Sequence, residues 1–290
     1  MNFYVGTANF LKNYGYKNKS VKKKEIFKIF NFLEKKSIFR IDTALKYDKF
    51  LKFSKKINFV NSKISTKIFF NETDFRKVNF EDYFIKKIDK KIDKFKIKKF
   101  ETIFIHNFDD IKKKNFRKLF RLMKKLKKLR LTKMIGLSIY NTKSLTKINN
   151  DSKIDIIQAP VNIFNKQFLQ NKISKILKQK KIKLQARSIF LQGVLTDDKK
   201  ILSEFSKKNR ALNEFFLWCE KNRISTYQTC VNFILSQKNI DSFVVGIENL
   251  KQLKMLYSLI FNQKKKKIAK KFFFTKNYFI DTRKLKFYEN

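Results

Sequence analysis

Four polar side chains in the amino-terminal part of the sequence have the chemistry to reduce a carbonyl group together. Asp42 and Tyr47 are five positions apart, Lys67 follows, and His106 is the single histidine of the chain. A carbonyl that accepts a hydride leaves negative charge on its oxygen, which must be stabilised and protonated. A tyrosine hydroxyl can donate that proton, a nearby lysine ammonium should lower its pKa, and a carboxylate keeps the ammonium charged. A histidine can hydrogen-bond the same oxygen and fix its position.

Each of these residues alone also has an ordinary structural explanation. Lysine occurs along the whole chain, Asp42 could cap a helix, and His106 could be a core residue with its hydrogen bonds satisfied. The argument therefore depends on which elements carry the four residues and whether those elements bring them together.

The sequence alternates between short apolar runs and longer amphipathic stretches. The apolar runs predict strands at residues 3–8, 38–44, 64–68, 102–107, 134–139, 154–159, 182–188 and 242–246. Apolar residues at helical spacing begin at Ile26, Ile85 and Phe116, and further helices are predicted at 165–180, 202–222, 225–237 and 249–260.

Nearly continuous apolar strands separated by helices are typical of a parallel sheet covered by helices on its faces. Eight such units in about 260 residues predict an α/β fold, a closed (β/α)8 barrel of the TIM type, in a single domain. The predicted domain spans residues 1–262, and residues 263–290 form a basic carboxyl-terminal tail. Asp42, Lys67 and His106 end the second, third and fourth predicted strands, so they should meet at the mouth where such barrels place their active sites.

The composition indicates a globular chain with an unusual charge. Its 290 residues are 43% hydrophobic, enough for a core, and carry a formal net charge of +46. One interpretation is a surface that binds a polyanion. The other is codon composition, because residues with A/T-rich codons abound while the chain has only five glycines and one proline. Lysines are spread evenly and arginine, the better phosphate ligand, is scarce, so we favour codon composition and expect no specific nucleic-acid partner.

Several other classes of protein are excluded. The two cysteines, Cys219 and Cys230, are too few for a disulfide scaffold, and with one distant histidine they do not form a zinc site, so no metal is expected. No segment approaches the roughly 18 apolar residues of a membrane helix, and residues 1–10 do not resemble a signal peptide. The expected location is the cytoplasm, without a membrane partner, and nothing in the sequence indicates an oligomeric state.

An ordered set of motifs resembles the aldo-keto reductase family. The segment Asp42-Thr43-Ala44-Leu45-Lys46-Tyr47 is similar to that family's D-T-A-x-x-Y signature. Thr66-Lys67 and Ile105-His106-Asn107 resemble its lysine and histidine strands, Gly136-Leu137-Ser138 its fifth strand, and Gln158-Ala159-Pro160-Val161-Asn162 its sixth. The resemblance covers residues 3 to about 260, and it implies that Asp42, Tyr47, Lys67 and His106 form a catalytic tetrad with Tyr47 as proton donor.

The resemblance also implies a nicotinamide cofactor, bound without a G-x-G-x-x-G sequence. It places the nicotinamide against Ser138 and Gln158, with Arg187 or Ser188 beside the ring, and the pyrophosphate across residues 190–195. The implied cofactor-binding residues are Gly6, Thr7, Ser138, Gln158, Arg187, Ser188, Leu191, Gly193, Gly246, Asn249 and Gln252. NADPH is expected by the habit of the family. NADH is the alternative, because Glu248 stands where a basic residue usually meets the 2′-phosphate and only Lys251 and Lys254 could replace it.

The substrate is expected to be a small aldehyde, ketone or sugar-like carbonyl compound. Candidate pocket residues are Phe10, Tyr14, Phe70, Phe108 and Tyr140. Two other functions stay open on the sequence alone. One is a regulatory module that binds the cofactor without significant turnover, and the other is a basic protein that binds polyanions.

Overall fold

The computed structural model describes residues 1–15, 19–47, 49–50, 56–148, 152–197, 201, 203 and 210–261. Eight parallel strands close into a barrel in sequence order, β1 next to β2 and so on to β8, which pairs with β1. They are β1 Asn2–Gly6, β2 Arg40–Asp42, β3 Lys63–Ile68, β4 Phe100–Ile105, β5 Thr132–Ser138, β6 Ile156–Pro160, β7 Lys183–Arg187 and β8 Ser242–Gly246. The predicted (β/α)8 barrel is confirmed.

Helices cover the outside of the barrel. In the described residues they are α1 Lys23–Lys35, α2 Glu72–Phe75, α3 Phe80–Phe95, α4 Phe116–Lys128, α5 Asn171–Gln179, α6 Arg210–Lys221, α7 Thr226–Ser236 and α8 Leu250–Phe261. The apolar stripes predicted from the sequence are the buried faces, as with Ile26, Ile29, Phe30 and Leu33 in α1. The connection from β5 to β6 contains a 3-10 helix, Thr142–Lys147, among its described residues.

The core is built largely from phenylalanine and isoleucine. The Phe30 ring of α1 packs edge-on against Phe50 and against Phe59, with a ring-centroid distance of 5.8 Å in each pair. Gly136 of β5 is required by its neighbours in β4 and β6, because a Cβ there would lie 2.6 Å from Phe104 Cδ1 and 2.7 Å from the Ile156 carbonyl oxygen. The barrel is therefore densely packed at Gly136, where no space is left for a side chain.

Few helices end at glycine in this glycine-poor chain. After α1, α3 and α4, the positive φ angles belong to Ser37, Lys96 and Arg130, at 53°, 54° and 58°. A left-handed residue with a side chain costs about 1–2 kcal/mol relative to glycine. Glycine is kept instead at Gly15 and Gly193, which have φ of 72° and 99° and lie in the loops after β1 and β7. Both loops border the cavity described below.

Several segments predicted from the sequence fall outside the described residues. They are residues 263–290 of the predicted tail and most of residues 202–209, where the helix predicted at 202–222 begins. No helix in the described ranges is long and apolar enough to cross a membrane. Cys219 and Cys230 are both buried free thiols.

Candidate active site

A cavity of about 190 Å³ opens at the carboxyl ends of the strands. All four residues of the predicted tetrad line it: Asp42, Tyr47, Lys67 and His106. Asp42 is the last residue of β2, Lys67 lies in β3, and His106 follows β4 directly. The barrel register makes these strands neighbours, with Asp42 paired to Ser65 and Lys67 to Phe104. The convergence predicted from strand order is what the structure shows.

Lys67 and Asp42 form a buried ion pair in this cavity. The Lys67 ammonium donates to Asp42 Oδ1 and, at 3.2 Å, to the Thr43 carbonyl oxygen. Within the described residues these are the only charged side chains that are buried, at 5% and 6% exposure. Burial lowers the pKa of Lys67, and the Asp42 carboxylate opposes that shift. Because two desolvated charges are costly unless paired, the pair distinguishes this cavity from the rest of the described part of the chain.

A chain of amides continues from Asp42 across the barrel interior. Gln158 Nε2 donates to Asp42 Oδ2 and to Gln185 Oε1, both at 2.7 Å, and Gln185 Nε2 donates to Ser242 Oγ at 3.1 Å. The network fixes the second carboxylate oxygen, which leaves Oδ1 for Lys67. Sequence reasoning missed Gln185 and Ser242; the signal was a glutamine between the apolar Leu184 and Ala186 of a predicted buried strand.

Tyr47 and His106 meet in the lining of the cavity, and both side chains are partly exposed. The Tyr47 hydroxyl lies 3.4 Å from His106 Nε2, and the two rings are perpendicular. The backbone of His106 is held in place, because its N–H donates to the Ile68 carbonyl oxygen at 2.8 Å. The adjacent Asn107 locks the ends of β3 and β4 together, because its side chain bonds both the N–H and the carbonyl of Phe70.

The environment determines the protonation state of both groups. Burial, with the nearby positive charges of Lys67, Lys46 and Arg187, lowers the pKa of His106 to about 2, so its imidazole is neutral at physiological pH. Burial raises the pKa of Tyr47, and the phenols of Tyr14 and Tyr140 add to the effect. The expectation that Lys67 lowers the pKa of Tyr47 is therefore not met: the Lys67 ammonium bonds Asp42 and Thr43 rather than the Tyr47 hydroxyl.

Most residues that the sequence assigned to the cofactor line the same cavity. They are Gly6, Thr7, Ser138, Gln158, Arg187, Ser188, Gly193, Gly246 and Gln252. Two further predictions are not supported by position. The Leu191 side chain is fully buried in the core and its N–H donates to the Ser188 carbonyl at 3.0 Å. Asn249 does not line the cavity, and its Oδ1 accepts from the Gln252 N–H at 3.0 Å in the first turn of α8.

The loop after β7 has an unusual backbone. Ser188, Leu191, Gln192 and Gly193 all have positive φ, between 47° and 99°. Its N–H groups at Leu191, Gly193 and Leu195 bond carbonyls inside the loop. The loop can therefore shape one wall of the cavity, but those three N–H groups do not face a ligand.

The aromatic residues predicted for the substrate pocket divide into two groups. Tyr14 and Tyr140 line the cavity. Phe10, Phe70 and Phe108 lie in the core, at 1%, 3% and 0% exposure, so that part of the prediction is wrong. Phenylalanine is so frequent in this chain that its place in a loop did not distinguish pocket from core.

A sequence model of the Aldo/keto reductase family matches residues 4–270, nearly the whole chain. The chain belongs to the aldo/keto reductase family. It is thus an oxidoreductase of a family that acts on small carbonyl compounds and generally uses nicotinamide cofactors.

Solved structures of other aldo-keto reductases share the fold of this aldo/keto reductase. The thermostable aldo-keto reductase Tm1743, crystallised with the inhibitor epalrestat, is 15% identical, with a TM-score of 0.64 over 93% of this chain and 92% of that one. MGS-M4, an aldo-keto reductase from a Medee basin deep-sea metagenome library, is 14% identical, with a TM-score of 0.64 over 93% and 88%. No curated protein sequence matches the chain significantly.

Proposed function

We propose that this protein reduces a small aldehyde, ketone or sugar-like carbonyl compound, with a reduced nicotinamide cofactor and with Tyr47 as the proton donor. One observation carries the proposal. The only buried charged pair of the described residues, Lys67 and Asp42, lines the same cavity as the hydrogen-bonded Tyr47 and His106. A structural role alone does not explain a desolvated ion pair beside an accessible phenol and imidazole.

The residues around the cavity fit a nicotinamide dinucleotide. Gln158 Oε1 is buried in the cavity wall with no hydrogen-bond partner, and an amide N–H of a nicotinamide is a suitable donor for it. Gly246 has open space where a Cβ would stand, as does Gly193, so a ligand can approach both backbones. We propose that Ser138 and Gln158 bind the carboxamide, that Arg187 and Ser188 border the ring, and that Gly246 and Gln252 lie at the adenosine end. When bound there, the cofactor would supply the hydride that the carbonyl carbon accepts.

Tyr47 rather than His106 donates the proton to the carbonyl oxygen in this proposal. The neutral imidazole that follows from a pKa of about 2 has no imidazolium proton to give, and it can only hydrogen-bond the oxygen and orient it. The Tyr47 hydroxyl has a proton at every physiological pH, because burial raises its pKa. The proton leaves the phenol only as negative charge develops on the carbonyl oxygen, and solvent then restores it.

Lys67 acts on this step through its charge. Its ammonium is fixed by Asp42 and Thr43, and it adds positive potential to the cavity in which phenolate and alkoxide character develop. The same charge contributes to the low pKa of His106. Asp42 is a positioning residue, since it touches Lys67 and Gln158 and not the Tyr47 hydroxyl.

NADPH is the proposed cofactor, with NADH as the alternative. Glu248 lines the cavity, whereas Lys251 and Lys254 are exposed and do not line it. The basic residues of the lining are Lys19, Lys67 and Arg187. We further propose a single catalytic domain over residues 1–262 and a cytoplasmic location, without a specific nucleic-acid partner. No observation in the described residues favours the regulatory or polyanion-binding alternatives over an enzyme with an intact tetrad.

Replacement of Tyr47 tests the proposal. Tyr47→Phe keeps the ring and removes only the proton donor, so turnover of an aldehyde panel should fall by about 10²–10⁴-fold. The dissociation constant for NADPH, measured by fluorescence quenching, should change by less than about threefold. Tyr83→Phe, on an exposed tyrosine of α3, is the matched control and should behave as wild type. Near-full turnover by Tyr47→Phe would show that another group donates the proton.

A further inference from the structure

Tyr140 lies just beyond the end of β5, and both polar groups of its backbone are held by side chains from other loops. Its N–H donates to Asp109 Oδ2 at 2.6 Å, and its carbonyl oxygen accepts from Gln167 Nε2 at 2.8 Å. The pairing of β5 with β6 stops one residue earlier, where the Ile139 N–H donates to the Gln158 carbonyl oxygen at 3.0 Å. The backbone of Tyr140 is therefore fixed by two side chains rather than by the sheet.

The same two side chains also hold the segment that follows Tyr140. Asp109 lies in the loop after β4, and its Oδ1 accepts from the Ser144 hydroxyl. Gln167 is buried in the loop after β6, and its Oε1 accepts from the Thr142 N–H at 3.3 Å. Each side chain thus makes two bonds to residues 140–144. Because a carboxylate or a buried amide is costly to leave unpaired, these bonds keep the segment in one position.

The ring that is fixed in this way forms part of the cavity wall. Tyr140 lines the cavity together with Tyr47 and His106, and its ring stacks on the Arg187 guanidinium, with Cζ 4.0 Å from the centroid. Burial raises the pKa of Tyr47, and the Tyr14 and Tyr140 phenols contribute, so Tyr140 lies within electrostatic reach of the reacting hydroxyl. In the proposed function a cavity of about 190 Å³ must hold the reacting part of the cofactor as well as the substrate. The position of the Tyr140 ring therefore limits the space that is left for the substrate.

We propose that Tyr140 determines the size of the carbonyl substrate, and that Asp109 and Gln167 are positioning residues that act through Tyr140. This inference rests on the proposed function and narrows its substrate class to carbonyl compounds small enough to fit beside the fixed ring. A wall that is held in place excludes a larger aldehyde by steric overlap, whereas a loose wall would move aside for it. The proton and hydride transfers of the proposed reaction are unchanged.

A matched pair of aromatic aldehydes tests the role of the Tyr140 ring. The pair is 2-naphthaldehyde and benzaldehyde, which differ by one fused ring, and the measured quantity is the ratio of their kcat/KM values. The ratio cancels a change in cofactor affinity, because both aldehydes react with the same enzyme. Tyr140→Ala removes the ring, so the ratio of the larger to the smaller aldehyde should rise at least about tenfold over wild type. An unchanged ratio in Tyr140→Ala overturns the inference.

Three further variants separate positioning from stability in general. Asp109→Leu removes both hydrogen bonds and lets the segment shift, so the ratio should rise about 3- to 10-fold. Asp109→Asn keeps an acceptor oxygen for the Tyr140 N–H and gains an amide that can donate to Ser144 Oγ, so its ratio should stay within about twofold of wild type. Asp155→Leu is the matched control, since Asp155 also accepts from a β5 N–H, that of Ile135 at 2.8 Å, but lies at the amino end of β6 and does not line the cavity. A ratio that rises as much in Asp155→Leu as in Asp109→Leu overturns the positioning role.

A double-mutant cycle shows whether Asp109 acts through Tyr140. If it does, Asp109→Leu should have no further effect on the ratio in the Tyr140→Ala background, because the ring that it positions is absent. Gln167→Leu should raise the ratio in the wild-type background and should likewise have no further effect in Tyr140→Ala. Additive effects of Asp109→Leu and Tyr140→Ala would mean that Asp109 acts on the site by another route, and they overturn its assignment.

A binding measurement distinguishes failure of this inference from failure of the proposed function. Calorimetric titration compares 2-naphthalenemethanol with benzyl alcohol on wild type, Tyr140→Ala and Asp155→Leu, each shown to be folded by urea unfolding. A relative gain in affinity for the larger alcohol in Tyr140→Ala alone supports the inference even if no aldehyde is reduced, in which case only the proposed function fails. The same relative affinity in wild type and Tyr140→Ala overturns the inference, whatever the turnover.

Discussion

Two cavities of this barrel lie at opposite ends of its strands and differ in how they use charge. The cavity at the carboxyl ends contains the buried pair of Asp42 and Lys67. The other, of about 450 Å³, lies by the first residues of β7 and the residues before β8. Its lining includes five exposed lysines, at positions 175, 178, 181, 183 and 238, and one acid, Asp241, whose Oδ2 accepts from the Leu184 N–H.

The larger and more basic cavity is the weaker candidate for a functional site. Its ammonium groups are exposed to water, so they pay no desolvation penalty, and an ion pair that they form with a ligand is weak. Lys67 is desolvated, and only a fixed carboxylate makes that tolerable. In a chain whose composition puts lysine on every surface, the burial and pairing of a charge indicate function, and its presence alone does not.

Removal of one lysine from each cavity should give the largest contrast. Lys67→Met leaves the Asp42 carboxylate buried without its counter-charge, which should lower the free energy of unfolding by about 3–5 kcal/mol and abolish turnover. Lys178→Met in the basic cavity should change the free energy of unfolding by less than about 0.5 kcal/mol. Urea unfolding followed by circular dichroism measures both.

A double replacement distinguishes charge imbalance from lost packing. Asp42→Asn with Lys67→Met removes both charges, so it should recover part of the stability lost in Lys67→Met. Activity should stay absent, since the cavity then has no ammonium beside Tyr47. If Lys67→Met is as stable as Lys178→Met, burial and pairing do not distinguish the two cavities.

The strand order, and with it the convergence of Asp42, Lys67 and His106, was predictable because it depends on local patterns. The apolar runs and their spacing predicted all eight strands, with every end within about two residues of the observed one. Once the strands are in order, the ends of β2, β3 and β4 must be adjacent, so Asp42, Lys67 and His106 had to converge. This part of the site follows from chain topology and requires no knowledge of side-chain orientation.

The remaining features depend on side-chain direction and long-range packing, which one sequence does not encode locally. Leu191 and Asn249 lie in the expected loops, but one side chain points into the core and the other caps α8. The bond between Gln158 and Asp42 joins residues 116 positions apart. The direction of the Lys67 ammonium, toward Asp42 and the Thr43 carbonyl oxygen rather than the Tyr47 hydroxyl, could likewise not be read from the sequence pattern.

The protonation of His106 gives a second, smaller contrast between a buried and an exposed base. Its pKa is lowered from 6.5 to about 2 in the folded protein, so below pH 6.5 the unfolded chain binds a proton that the folded chain does not. The contribution of His106 to the free energy of unfolding should therefore be fully present above pH 6.5 and fall by about 1.4 kcal/mol for each pH unit below it. His106→Gln should remove that component of the slope.

The single histidine makes this prediction directly measurable. Its imidazole gives one set of resonances in an NMR titration of the folded protein, and these should not shift between pH 5 and 8. Titration near 6.5 would mean that His106 is solvated like an exposed side chain. It would also restore an imidazolium as a competing proton donor to Tyr47.

The smallest expected effect concerns the partly exposed rim, where charge is neither buried nor fully solvated. Glu248 lines the cavity. Its backbone N–H donates to Gln252 Oε1 at 2.8 Å, so the carboxylate is the group of this residue that would act on a cofactor. Its carboxylate should repel a 2′-phosphate, so Glu248→Gln should lower the dissociation constant for NADPH relative to NADH by about two- to fivefold. Lys251→Gln, on the exposed side of α8, should change that ratio less. A larger effect from Lys251 than from Glu248 would mean that helix lysines bind the phosphate, and that exposed charge contributes more at this mouth than its burial indicates.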